Sequence, residues 1–378
     1  LLAAALALVL AGCASEPPKG KGKTVPKQAP AAHSAQKPQA KAVQPPGPLS
    51  SPELVGSLLP SFVQDKSGWA VDILAAFDAL DIPPTKGNIC AVLAEIEQES
   101  SFQSEPVVPG LGKIVRQELE ARRNRYGVPR WVMDKSLAMT SPDGRTYNER
   151  INALRTENDV NDLYEDMISE VPLGKKILAD YNPVRTGGPM QVNAGFASSH
   201  MATRRYPFAY DGSVRNALFS RKGGLYFGVA YLLDYPANYE SISFRFADYN
   251  AGRYSSRNAA FQRAVSSLSG IPLRLDGDLL SYKDGAALEE SGQTMRALLA
   301  IAPRLNMDRA EIFRNLMLEK SPAFEHSRLY TKVYALAPSM PRASLPNITV
   351  RSLKFSRKLT TTSYVKRVDG RYRSCLKK

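Results

Sequence analysis

Three groups of residues in this chain have types and spacings suited to acid–base work on a hydroxyl-rich ligand. The first is Glu99-Ser100-Ser101-Phe102, which ends the apolar helical run of residues 89–96 and sets a carboxyl where a helix gives way to a loop. A carboxyl there is either a general acid, if burial raises its pKa, or an ordinary solvated helix end. With about 100° between successive residues, Ile89, Val92, Leu93 and Ile96 form one buried stripe, and Glu99 lies about 70° from its centre. Glu97 and Glu95 lie about 90° and about 110° away, so Glu99 is expected at the core edge and the other two in solvent. The second group is Gly187-Gly188-Pro189-Met190-Gln191-Val192-Asn193, whose glycines permit close backbone approach and whose amides can grip hydroxyls. Taken alone it reads as a turn followed by the start of a strand or helix. The third is Asp248-Tyr249-Asn250-Ala251-Gly252, where Asp248 is either a second acid or a solvated or capping residue.

The elements that must hold these groups are mostly helical. A Ser cap followed by Pro52 starts a short helix, and residues 66–80 carry Trp69, Ile73, Leu74 and Phe77 on one face. Pro83-Pro84-Thr85 then breaks the chain before the helix that ends at Glu99. Polar helices are expected over 111–126, 158–168 and 173–181, a strongly apolar one over 223–235, and amphipathic ones over 258–268, 289–302 and 307–320. From residue 347 the texture becomes alternating and basic. Tyr364-Val365-Lys366-Arg367-Val368, Asp369-Gly370 and Arg371-Tyr372-Arg373 then read as a β-hairpin with a type I′ turn.

Residues 1–10 are apolar and uncharged, too short to span a bilayer and about the length of a signal-peptide apolar region. They lead into Leu10-Ala11-Gly12-Cys13, which resembles the lipobox of bacterial lipoproteins and implies a lipid on Cys13. Ala14 is not acidic, and in the enterobacterial lipoproteins this start resembles, such a residue favours the outer membrane. The expected location is the periplasmic face of the outer membrane, with the lipid as anchor. Two cysteines then remain, Cys90 and Cys375, which an oxidising compartment allows to pair; the alternative is a buried thiol at Cys90 and an incidental Cys375. The histidines His33, His200 and His326 are scattered without metal-ligand spacing, so neither a metal nor a cofactor is indicated.

The net charge of +14 is unevenly spread. Residues 14–50 hold six Lys against Glu16, and residues 351–378 hold ten Lys and Arg against Asp369, which leaves the body between them neutral. Two basic appendages on a balanced, exported domain suit an anionic envelope surface and do not suggest a nucleic-acid partner. Residues 14–50, with eight Pro and no aromatic, read as a disordered tether.

Taken in order, Glu99-Ser100-x-Phe102, Gly188-x-Met190-Gln191, Gly228-x-x-Tyr231-Leu232 and Tyr249-Asn250-Ala251-Gly252 resemble the successive motifs of the soluble lytic transglycosylase (goose-type lysozyme-like) family. The resemblance implies a mainly α, lysozyme-like domain over 51–270, interrupted by a helical insertion at about 105–185. Residues 1–13 would be the signal peptide and lipobox, 271–346 a helical C-terminal region and 347–378 a basic hairpin tail. It also implies that Glu99 is the catalytic acid and that Ser100, Met190, Gln191, Asn193, Tyr249 and Asn250 line the glycan cleft. The expected partners are peptidoglycan glycan strands and, through Cys13, a membrane; the sequence names no protein partner. The implied reaction is cleavage between MurNAc and GlcNAc with a 1,6-anhydro product. A noncatalytic peptidoglycan-binding lipoprotein, or a hydrolytic muramidase in which Asp248 or an acid from the insertion positions water, are the alternatives. Two departures from the family pattern stand out: about ninety residues between Glu99 and Gly188, and Pro189 where an aliphatic residue is usual.

Overall fold

A computed structural model describes residues 49, 51–210, 212–283, 286–288, 292–350 and 359–378. Cys13 and nearly all of the expected tether lie outside the described residues. The chain is mainly helical. The first unit contains α1 (Pro52–Leu58), α2 (Lys66–Ala79) and α3 (Lys86–Glu99). Helices α4 (Leu111–Arg125), α5 (Arg130–Leu137), α6 (Tyr147–Ala153), α7 (Glu157–Ser169) and α8 (Gly174–Leu178) follow. The two-residue strands β1 (Thr186–Gly187) and β2 (Val192–Asn193) pair antiparallel, with Thr186 opposite Asn193 and Gly187 opposite Val192. They return the chain to α9 (Ala194–Thr203), α10 (Val214–Phe219), α11 (Arg221–Leu233), α12 (Ile242–Ala251) and α13 (Ser255–Ser269).

Beyond α13 come the hairpin β3 (Ser281–Lys283) and β4 (Ala286–Leu288), then α14 (Gln293–Ala300), α15 (Ala302–Leu305), α16 (Arg309–Leu316) and α17 (Arg328–Leu336). A short pair, β5 (Thr349–Val350) with β6 (Leu359–Thr360), precedes the last helix, α18 (Thr361–Leu376).

Helix α3 is the axis of the first core. Thr85 caps it by accepting a hydrogen bond from the Asn88 amide at 3.2 Å, and every residue from Ile89 to Ile96 is buried. The burial goes round the whole helix rather than along one stripe. Helices α2, α11 and α12 contribute Trp69, Ile73, Phe77, Leu225, Phe227, Val229 and Phe246 to this core, and α18 contributes Tyr364, Val365 and Val368. A second core, Leu119, Ile151, Leu163, Tyr164, Met167 and Ile168 among others, belongs to residues 111–184 with Phe219 packed onto it. A third gathers Phe261 of α13 with Leu298, Phe324, Leu329 and Tyr330.

Two expectations need correction. The C-terminal segment is a helix, not a β-hairpin: Tyr364, Val365, Val368, Tyr372 and Cys375 fall at helical spacing and meet α3 and α12. Gly370 makes no turn there; it sits where an added Cβ would touch nothing. A mid-helix glycine costs about 1 kcal/mol, which the buried face of α18 offsets. In addition, the helix start is fixed by a capping box, with Thr360 and Ser363 bonding reciprocally. The second correction follows from the first. Because α18 covers the flank of α3 expected to face solvent, Glu95 is fully buried and Glu97 is half-buried against Arg371.

Cys90 and Cys375 are joined by a disulfide, so the last turn of α18 is bonded to the first turns of α3.

Candidate active site

Glu95 and Glu99 are four residues apart, so they share one face of α3 on successive turns. Tyr364 reaches that face from α18. Its hydroxyl oxygen is 2.6 Å from Glu95 Oε2 and 2.6 Å from Glu99 Oε1. Burial, and then the charge of Glu99, hold the Glu95 carboxyl well above the usual carboxylate range, against the pull of Tyr364 and Arg371. Burial thus favours the neutral form of Glu95. Its Oε1 has no hydrogen-bond partner, a condition a neutral carboxyl bears at far lower cost than a carboxylate. Burial and the two acids likewise hold the Tyr364 phenol protonated.

The loop between β1 and β2 is seated on α11 by sequence. Gly224 and Gly228, one turn apart, leave the room that Pro189 and Met190 occupy; a Cβ on either glycine would strike them. That is how the chain accommodates the unusual Pro189. Gly188 has φ +72° and Gln191 φ +50°, both in the left-handed region, and the Gln191 amide closes the turn on Gly188 O at 3.0 Å. Tyr249 of α12 then donates to Met190 O at 2.7 Å, with its ring edge-on to Tyr231 of α11 at 5.2 Å. Burial, followed by the charges of Glu95 and Glu99, pushes the Tyr249 phenol well up, and Tyr249 packs against the core that holds Ile96, Phe102 and Met190. The four sequence motifs therefore converge on one region.

The expected ligand-binding side chains have internal partners. Ser100 Oγ donates to Ile96 O at 3.1 Å, and Met190 is fully buried. Gln191 accepts from Thr186 Oγ1 at 3.3 Å and donates to Gly188 O at 3.2 Å. Asn193 caps α9, accepting from the amides of Gly195 and Phe196 at 2.8 and 3.2 Å. Asn250 accepts from Thr361 Oγ1, the first residue of α18, at 3.1 Å. Asp248 is not solvated. It is fully buried and accepts from Tyr235 and Tyr239 hydroxyls at 3.0 and 2.7 Å and from the amides of Tyr254 and Ser256 at 2.8 and 2.7 Å. Its capping of the start of α13 is thus one half of what its position suggested.

Backbone strain marks the end of α3. Ser101 and Phe102 have φ +51° and +60°, two consecutive side-chain-bearing residues in a region that costs roughly 1–2 kcal/mol each. Packing of the Phe102 ring on Trp69, at 5.3 Å between centroids, holds them there.

The opposite flank of α3 borders a groove of about 860 Å³, lined by Glu97, Gln98 and Ser101 of α3's end and by Lys366, Arg367 and Arg371 of α18. Arg371 donates to Glu97 at 3.0 Å and to Gln98 at 2.7 Å. Among the described residues no group of three or more His, Cys, Asp or Glu could hold a metal, and no helix is long and apolar enough to cross a membrane.

Glu95, Tyr364 and Thr361 belong to the site although the motifs do not include them. The helical spacing of residues 364–375 is the signal in the sequence that points to the last two.

Residues 62–378 match the family described as "Protein of unknown function (DUF1615)". Over 329 residues the chain is 45% identical to "Uncharacterized protein YaiW" of Escherichia coli (strain K12), covering 86% of this chain and 89% of the relative. No solved structure matches.

Proposed function

The chain belongs to the DUF1615 family, and from its own site we propose that it is an envelope lipoprotein that cleaves peptidoglycan glycan strands as a lytic transglycosylase, with a lysozyme-like domain and Glu99 as its acid. The observation that carries this reading is the convergence of the four motifs on the end of α3. Glu99 stands in the last turn beside the buried Glu95 and Tyr364, and Met190, Gly228, Tyr231 and Tyr249 lock together next to it.

The chemistry needs one group that first gives and then takes a proton. Glu99 protonates the glycosidic oxygen as the bond from C1 of MurNAc breaks. Its carboxylate then takes the proton of that sugar's C6 hydroxyl as the hydroxyl oxygen bonds to C1, closing the 1,6-anhydro ring. No water enters, and one proton passes from the C6 hydroxyl to the leaving oxygen. A hydrolase would need a second carboxyl able to activate water or attack the sugar. Asp248 has all its carboxylate engaged by four internal donors, and Glu95 is sealed under α18, so neither suits that part. The Leu10-Ala11-Gly12-Cys13 start supports lipid anchorage at the periplasmic face of the outer membrane.

The test is to incubate the purified chain and its Glu99→Gln variant with isolated sacculi and weigh the released muropeptides by mass spectrometry. Release by wild type and none by a folded variant is expected. Sedimentation with sacculi but no release would instead identify a noncatalytic glycan-binding protein.

A further inference from the structure

Resting on that reading, we propose that Tyr364, together with Glu95, is a positioning residue for Glu99, so that the C-terminal helix is a working part of the site. Tyr364 has one O–H and two carboxyl oxygens at 2.6 Å, so it can donate to only one of them. For both contacts to be hydrogen bonds, one carboxyl must itself donate to the phenol oxygen. Glu95 is that donor. It is fully buried, its Oε1 has no partner, and it shares its surroundings with a second acid.

The charged and titratable groups facing Glu95 are Glu99 on its own helix, Tyr364 and Arg371 on α18 and Tyr249 on α12. Arg371, the cation of that set, is hydrogen-bonded to Glu97 and Gln98. The resulting chain runs from Glu95 Oε2–H to Tyr364 Oη, and from Tyr364 Oη–H to Glu99 Oε1. Glu99 Oε1 is thereby held in one orientation through both proton transfers, while the reacting proton is carried on Oε2. Glu95 and Tyr364 end the cycle with the protons they began with.

The helix that brings Tyr364 is fixed at three levels. Thr361 bonds Asn250, Arg371 bonds Glu97 and Gln98, and Cys375 is bonded to Cys90. A phenol held so is placed by the fold and not by a mobile tail.

The experiment compares wild type, Tyr364→Phe and Glu95→Gln on sacculi, with kcat, KM and the pH profile of release, alongside infrared spectra of each protein at neutral pH. Tyr364→Phe keeps the ring and so the packing; it is expected to lower kcat roughly tenfold to a hundredfold with KM unchanged. Glu95→Gln puts a weaker amide donor in place of the carboxyl and is expected to lower kcat, though less than Tyr364→Phe does, while losing the part of the alkaline decline that Glu95 ionisation causes. In the infrared, wild type should show a protonated carboxyl band at neutral pH that disappears in Glu95→Gln and moves in Tyr364→Phe. A folded Tyr364→Phe with wild-type kcat and pH profile overturns the proposal, as does the absence of that band. Wild type that releases nothing overturns the proposed function. The infrared band still reads the shared proton in that case, so the two failures are told apart.

Discussion

Asp248 and Glu95 are both fully buried acids, yet they are built in opposite ways. Asp248 takes four donors, all from residues 235–256 around it. Glu319, in the third core, follows the same pattern, accepting from the amides of Leu279 and Leu280 and from the Tyr282 hydroxyl. Glu95 has one oxygen without a partner and shares its single hydrogen-bond partner, Tyr364, with a second carboxyl. That partner comes from 269 positions away. A buried acid whose lone pairs are filled by nearby chain holds a fold together. One left partly unsatisfied beside a second acid is instead a place where a proton can be held.

Four substitutions or treatments probe this contrast. Asp248→Ala should be the most damaging, since it leaves four buried donors without an acceptor; a loss of about 4 kcal/mol is expected from denaturant unfolding. A drop below about 1 kcal/mol would mean that Asp248 does not hold the fold together. Reduction of Cys90–Cys375 should cost about 2–4 kcal/mol, and amide exchange should rise first in α18 while the start of α13, held by Asp248, keeps its protection. Equal loosening of both would mean the two centres are not independent. Gly228→Ala should cost about 1–3 kcal/mol, because the new methyl meets the buried Met190 side chain. It should also disturb Tyr249 through Met190 O, visible in tyrosine ultraviolet absorption.

Glu95→Gln should change stability least, and in a pH-dependent way. Glu95 has a folded pKa raised above 4.5 by burial, so the stability it contributes is complete below its unfolded pKa and is lost as pH rises toward the folded one. The glutamine has no such dependence. The melting temperature of the variant, relative to wild type, should therefore climb as pH rises above about 5. A flat difference would mean that Glu95 is ionised in the folded protein.

Much of the site is legible in the amino-acid sequence. The order of the motifs, the helix ending at Glu99 and the helical character of residues 51–270 follow from apolar periodicity and from Thr85 and Ser51 as caps. The pairing of Cys90 with Cys375 is open to view because the chain has three cysteines and the first sits in the lipobox-like start. What stays hidden depends on α18. Asp369-Gly370 imitates a hairpin turn, and a glycine on an exposed helix face carries no mark to distinguish the two. With a hairpin in place of α18, α3 is left with a solvated flank, and Glu95 falls on it. Nothing local to residues 89–99 says otherwise, since the covering side chains arrive from the far end of the chain.

The most direct test of Glu99 as the acid of a lytic transglycosylase is to digest sacculi in water labelled with heavy oxygen and read the mass of each newly formed glycan end. The expected result is 1,6-anhydro ends that carry no label and that do not form with Glu99→Gln. Reducing ends carrying the heavy oxygen would contradict it, because they would mean that water, and not the sugar's own C6 hydroxyl, completes the reaction.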